Sequence, residues 1–146
     1  MRDVRLDLDP YRPGTPVLVR YAAISVPAPA FRELVAAAAL RAGINASSSL
    51  AEDRIELAVS VSLLRVRIAF APSVVSGRLH LTPRGGVPGW LIGQAATLVN
   101  RTEGLTMARD GQITVDPAPF LPPGIALPTG ITGFTVTPEA IDATLG

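Results

Sequence analysis

His80 is the only histidine among the 146 residues, and the chain has no cysteine and no lysine. The side chains that most often act as base, thiol nucleophile or Schiff-base amine are therefore nearly absent. A catalytic base needs a nucleophile within hydrogen-bond reach and a third group to orient it. Around His80, set between Leu79 and Leu81, no such partner stands at a recognisable spacing, and the alternation places the imidazole on the polar face of a strand. That is how a surface histidine reads. Asp7 and Asp9 share a strand face near Asp3, which could hold calcium weakly, yet these residues interleave with Arg2 and Arg5 as on a solvated strand. Arg84-Gly85-Gly86 has the glycines of a phosphate cradle without the lysine of a Walker loop, and Ser47-Ser48-Ser49 lacks a nucleophile elbow. Gly89 and Gly93 keep the four-residue spacing of packed membrane helices in a segment that does not span, and the sequon Asn45-Ala46-Ser47 matters only in an exported chain. The expectation is a protein that is not an enzyme and holds neither metal nor cofactor.

What the chain has in surplus is oil. Hydrophobic residues make up 48 % and the mean hydropathy is +0.37. The longest apolar run, Leu34 to Leu40, is mostly alanine and far short of the ~20 residues of a spanning helix. The opening MRDVRLDLDP alternates charge with Val4, Leu6 and Leu8, unlike a secretory signal. A cytoplasmic location is expected, the other reading being the mature form of an exported protein. The thirteen basic residues are all arginine, a pattern that reads as GC-rich coding, and they give a net charge of +1. No cluster exceeds Arg65-Val66-Arg67, so the sequence shows none of the concentrated positive face that nucleic acid needs, although folding could assemble one. The length suits one domain over 1–146, and no linker divides it.

The elements follow from periodicity. Val4 to Leu8 and Val17 to Val26 read as strands, with turns at Asp9-Pro10 and Pro13-Gly14. Pro29 opens a helix carrying Phe31, Leu34, Val35, Ala38 and Ala42 at helical spacing, and Gly43 stops it. Asn45 to Asp53 reads as a polar turn. From Ile55 to Phe70 apolar and polar residues alternate, but the phase switches at Leu63-Leu64. Successive strand side chains point to opposite faces, so the switch needs a bulge or a corner between two strands. Pro72 closes that segment, and Val74 to Thr82 makes another strand with its return turn at Ser76-Gly77. Pro88 opens a second helix with Val87, Leu91, Ala95 and Leu98 in a stripe, broadened by Trp90, Ile92 and Val99.

Leu105 to Val115 reads as a hairpin. A two-residue turn would oppose Leu105 to Asp116, whereas a three-residue loop with Gly111 in a bulge pairs Met107 with Ile113 and Leu105 with Val115. The five prolines of 116–130 exclude a central strand and suggest an extended edge or crossover pinned by Phe120, Leu121, Ile125 and Leu127. Phe134, Val136, Ile141, Ala143 and Leu145 belong to a last strand pair. A strand, a proline and a helix occur in that order twice, at Ser25 to Phe31 and at Leu81 to Leu91.

These segments run in the order ISVPAPAFRELVAAAALRAGI, IELAVSVSLLRVRIAF, SGRLHLTP, VPGWLIGQAATLV, DGQITVDPAPFLPPGIALP and GFTVTPEAIDATL. That order resembles the LmeA-like family of bacterial phospholipid-binding proteins and, more loosely, the tubular lipid-binding (TULIP) superfamily. The resemblance covers Ile24 to Leu145 and is one of pattern. It implies a highly curved antiparallel sheet wrapped around a long helix, with an apolar groove for lipid tails. Members of that family are usually exported or membrane-tethered, and this sequence shows neither a signal nor an anchor.

The resulting expectation is an α+β fold with a highly curved antiparallel sheet around one or two helices. It would bind or carry a lipid or other hydrophobic molecule without chemical change. The expected lining is Phe31, Leu34, Val35 and Ala38 on one helix, Trp90, Leu91 and Leu98 on the other, and Ile68 and Phe70 on the sheet. Partners would be the hydrophobic ligand and peripheral contact with a membrane, with no nucleic acid. The alternative is a structural or interaction module with a dry core, forming a homodimer through sheet edges or helix faces.

Overall fold

A computed structural model describes residues 3–8, 17–41, 43–61 and 63–146, leaving aside the side chains of Asp3, Val4, Val61 and Leu98. The expected turns at Asp9-Pro10 and Pro13-Gly14, and Ala42, lie outside the described residues. Among the described residues the fold is α+β, with two α-helices and two largely antiparallel sheets.

The first sheet joins the two ends of the chain. It contains β1 (Asp3–Leu8), β2 (Val17–Pro27), β10 (Ile131–Val136) and β11 (Ala140–Leu145) in the order β1-β2-β11-β10, and the two-residue β9 (Ile125–Ala126) adds in parallel to the start of β2. The second sheet holds the middle of the chain: β3 (Asn45–Ala51), β4 (Arg54–Val61), β5 (Leu64–Val75), β6 (Arg78–Arg84), β8 (Ile113–Val115) and β7 (Leu105–Met107), in that spatial order.

The phase switch at Leu63-Leu64 is the corner rather than the bulge. β4 and β5 form a hairpin in which Val61 opposes Leu64, so two residues lie in the turn. Odd residues of β4 then stand opposite even residues of β5: Ile55 faces Phe70, Leu57 faces Ile68 and Val59 faces Val66. Both parities of oil land on one face. Leu79 and Leu81 of β6, which pair with Val115 and Ile113 of β8, extend that face, while Arg65, Arg67, His80 and Thr114 occupy the other. His80 Nδ1 lies 3.2 Å from Gln112 Nε2 and 3.4 Å from Thr114 Oγ1 in a polar surface cluster.

Two expectations are corrected. Asn45 to Asp53 is not a turn, because Asn45 to Ala51 is β3, paired residue for residue with β4. Its serines have weak strand propensity and hide an alternation in which Ala46, Ser48 and Leu50 point inward. Pro72 does not end β5, which continues to Val75. The β4 ladder stops at the Ile55–Phe70 pair, so Pro72 sits where one edge of β5 has no β4 partner, and its missing N–H costs little there. Other readings hold in detail. The loop at Arg109-Asp110-Gly111 has three residues, Gly111 adopts φ +91°, and Leu105 pairs with Val115 and Met107 with Ile113. Phe120, expected to pin the proline-rich segment, is instead exposed on a short 3-10 turn (Ala118–Phe120).

Helix α1 (Ala28–Arg41) ends as its sequence requires. Gly43 at φ +74° donates to the Leu40 carbonyl and Ile44 to the Ala39 carbonyl, a Schellman arrangement that satisfies two terminal carbonyls. At its start, Ala28 N–H donates to the Glu139 carbonyl in the β10–β11 turn. Helix α2 (Gly89–Val99) follows Pro88. The sheets are tied where Gly77, in the β5–β6 turn, accepts from Ile131 N–H at 2.8 Å and Val136 accepts from Asp53 N–H at 3.0 Å. A cluster of Ile55, Val136 and Ile141 closes that junction, and Val136 is fully buried.

A cavity without polar side chains

The helices do not lie flat on the apolar face of the second sheet. α1 packs along β3 and β2, and the close neighbour of α2 is β7. The middle of the sheet is reached through side chains such as Leu91, which joins Val59, Ile68 and Phe70 in a buried cluster. The stand-off leaves a cavity of about 590 Å3. Its floor is Ile55, Leu57, Val59, Ile68, Phe70, Leu79, Leu81, Met107 and Ile113. Phe31, Leu34, Val35, Ala38 and Ala39 of α1 form one wall, and Leu91, Ile92, Ala95 and Val99 of α2 another. Val26, Phe134 and Ile141 of the first sheet close the end, and Ile44, Ala46, Val87 and Gly111 complete the lining.

None of these 25 residues carries a polar or charged side chain. Leu34 lines the cavity and is 48 % exposed, so the space reaches the surface beside α1. Were it sealed and empty, a void of 590 Å3 would cost roughly 14 kcal/mol at ~24 cal/mol per Å3. That is the size of a whole domain's stability. Apolar voids of roughly 150 Å3 already stay dry and take up benzene, and ordinary ligand pockets span about 300–1,000 Å3.

Of the nine expected lining residues, Phe31, Leu34, Val35, Ala38, Ile68, Phe70 and Leu91 face this space. Trp90 does not: it sits in the first turn of α2, 40 % exposed, one position away from the Leu91–Ala95–Val99 stripe. The side chain of Leu98 lies outside the described residues. The β4 and β6 contributions were missed although the alternation at Ile55, Leu57 and Val59 carried the signal. The first-sheet contributions from Val26, Phe134 and Ile141 depend on long-range pairing, which periodicity cannot give.

Among the described residues Ser48 is the one buried polar side chain, and its Oγ has no hydrogen-bond partner there. Among the described residues no cluster of three or more metal-ligating side chains occurs, and no helix is long and apolar enough to cross a membrane. No family model, curated protein or solved structure matches the chain.

Proposed function

We propose that the cavity holds the hydrocarbon portion of a lipid or similar hydrophobic molecule, bound and released without chemical change. The observation that carries this reading is the lining itself, 25 residues with no polar side chain around about 590 Å3. Each methylene transferred from water contributes ~0.8 kcal/mol. A tail of about a dozen carbons therefore offers roughly 10 kcal/mol before the costs of association and ordering. Such a lining selects by length and shape, and the polar end of the ligand would stay at the mouth beside Leu34. The reading includes the finer architecture implied by the LmeA-like and TULIP resemblance, in which sheet curves around helix. Its support is that the apolar faces of both sheets contribute to one space alongside α1.

Mass spectrometry of organic extracts from purified, folded protein tests the proposal. A lipid in near-stoichiometric amount is expected, and repeated recovery of empty protein that takes up no added lipid overturns it. A second reading, a homodimer, is favoured by the outermost strand of the first sheet: Leu6 and Leu8 on β1 are 62 % and 48 % exposed. An exposed apolar edge strand invites pairing with another copy. Protein of dimer mass that yields no lipid would support that reading instead.

A further inference from the structure

Leucine is exposed to an unusual degree at one corner of the molecule. Leu63 is 100 % exposed, Leu40 is 71 % and Leu64 is 58 %. Leu63 and Leu64 adjoin at the end of the β4–β5 hairpin, and Leu40 is linked to that end across a shared cavity. A smaller cavity of about 360 Å3 is walled jointly by Leu40 of α1, Ser60 of β4 and Arg65 of β5, which brings the last turn of α1 against the end of the β4–β5 hairpin. Leu63 lies in the turn of that hairpin and Leu64 is the next residue.

Arg41 and Arg65 each follow one of the leucines in the chain, both exposed and neither ion-paired among the described residues. The nearest carboxylate along α1 is Glu33, seven residues and roughly 10 Å back from Leu40. On the strands it is Glu56, four residues before Ser60 along β4, beside Arg54 and Ser49 and diagonally across from Arg67. Among the described residues the corner is thus apolar at its tip, with two arginines beside it and the nearest strand carboxylate further along the hairpin. Leucine tips enter the acyl boundary of a bilayer while arginines stay at the phosphates. Attraction to anionic lipid falls off within a Debye length, so these cations act only when the tips are seated.

We propose that the last turn of α1 and the β4–β5 turn together form a docking corner for a membrane surface containing anionic lipid. The two arginines favour this occupant over a second copy of the chain, since facing arginines would repel across such a contact. The proposal does not depend on what fills the large cavity, so either can fail alone.

Sedimentation with two vesicle preparations tests it, one of phosphatidylcholine and one containing phosphatidylglycerol. Wild-type protein is expected to bind the anionic vesicles far better than the neutral ones. Arg41→Gln with Arg65→Gln should lower partitioning roughly thirtyfold at low salt. Leu40→Ser with Leu63→Ser should lower it at least about tenfold. Because all four side chains are exposed, thermal melts of both double variants should match wild type. Equal binding to both vesicles, no binding, or double variants that bind like wild type overturn the proposal. So does a leucine double variant that turns a dimer into a monomer in light scattering, which would assign the corner to a second copy.

Discussion

Ala95→Phe should make the protein more stable, an unusual expectation for a large side chain placed in an interior. Ala95 lies one turn from both Leu91 and Val99, and all three line the cavity. The substitution adds roughly 100 Å3, which at ~24 cal/mol per Å3 of sealed void removed is at most about 2.4 kcal/mol, since the space opens to the surface. Phenylalanine is a poorer helix former than alanine, by roughly 0.5 kcal/mol, leaving a gain of up to about 2 kcal/mol. For a chain of this length that corresponds to a rise in Tm of about 4–8 °C. Scanning calorimetry of lipid-stripped wild type and variant reads the difference, and the variant should also take up less lipid. Were the space between helices and sheet already filled by well-packed side chains, the same substitution would overpack it and cost about 1–3 kcal/mol. A lower Tm in the variant therefore refutes the cavity argument.

Lipid added to stripped wild type at about a hundred times its Kd should raise stability by roughly 2.7 kcal/mol, and absence of any shift in a calorimetric scan would count against a ligand site. Gly77→Ala should cost well over 2 kcal/mol in denaturant melts: a Cβ there would overlap the Thr129 carbonyl, with Gly130 close behind, at φ +78°. Gly85→Ala, with the same hand of backbone at φ +85° and open space around it, should cost only about 1–2 kcal/mol, and equal losses at the two sites would show that the Gly77–Gly130 crossing does not tie the sheets. Ser48→Ala should be neutral or stabilise by up to about 1 kcal/mol, since it removes a buried hydroxyl without a partner; a loss above 1 kcal/mol in the same melts would reveal a hydrogen bond to Oγ.

Local signals made the second sheet legible. The phase switch at Leu63-Leu64 marked the β4–β5 hairpin, because a two-residue turn exchanges parity while keeping oil on one face. Gly111 fixed the β7–β8 register, since only the three-residue loop opposes apolar to apolar. β3 was hidden by composition: three consecutive serines look like a turn unless Ala46 and Leu50 are given weight. Pro72 misled because a proline's cost depends on whether its edge is paired, a property of the neighbouring strand. The division into two sheets could not be read, since β2 pairs with β11 across more than a hundred residues. The cavity was legible only as surplus oil. Its volume depends on where α1 and α2 come to rest, along β3 and β7 rather than over β4 to β6, and no spacing along the chain encodes that offset.

On this proposal an apolar space in the protein takes an apolar guest. Isothermal titration of lipid-stripped protein with a long-chain fatty acid at several temperatures measures this directly, because burying apolar surface on binding gives a negative heat-capacity change. Saturation near one ligand per chain with a clearly negative ΔCp is the predicted result. Titrations that show no saturable uptake at any temperature would contradict the account.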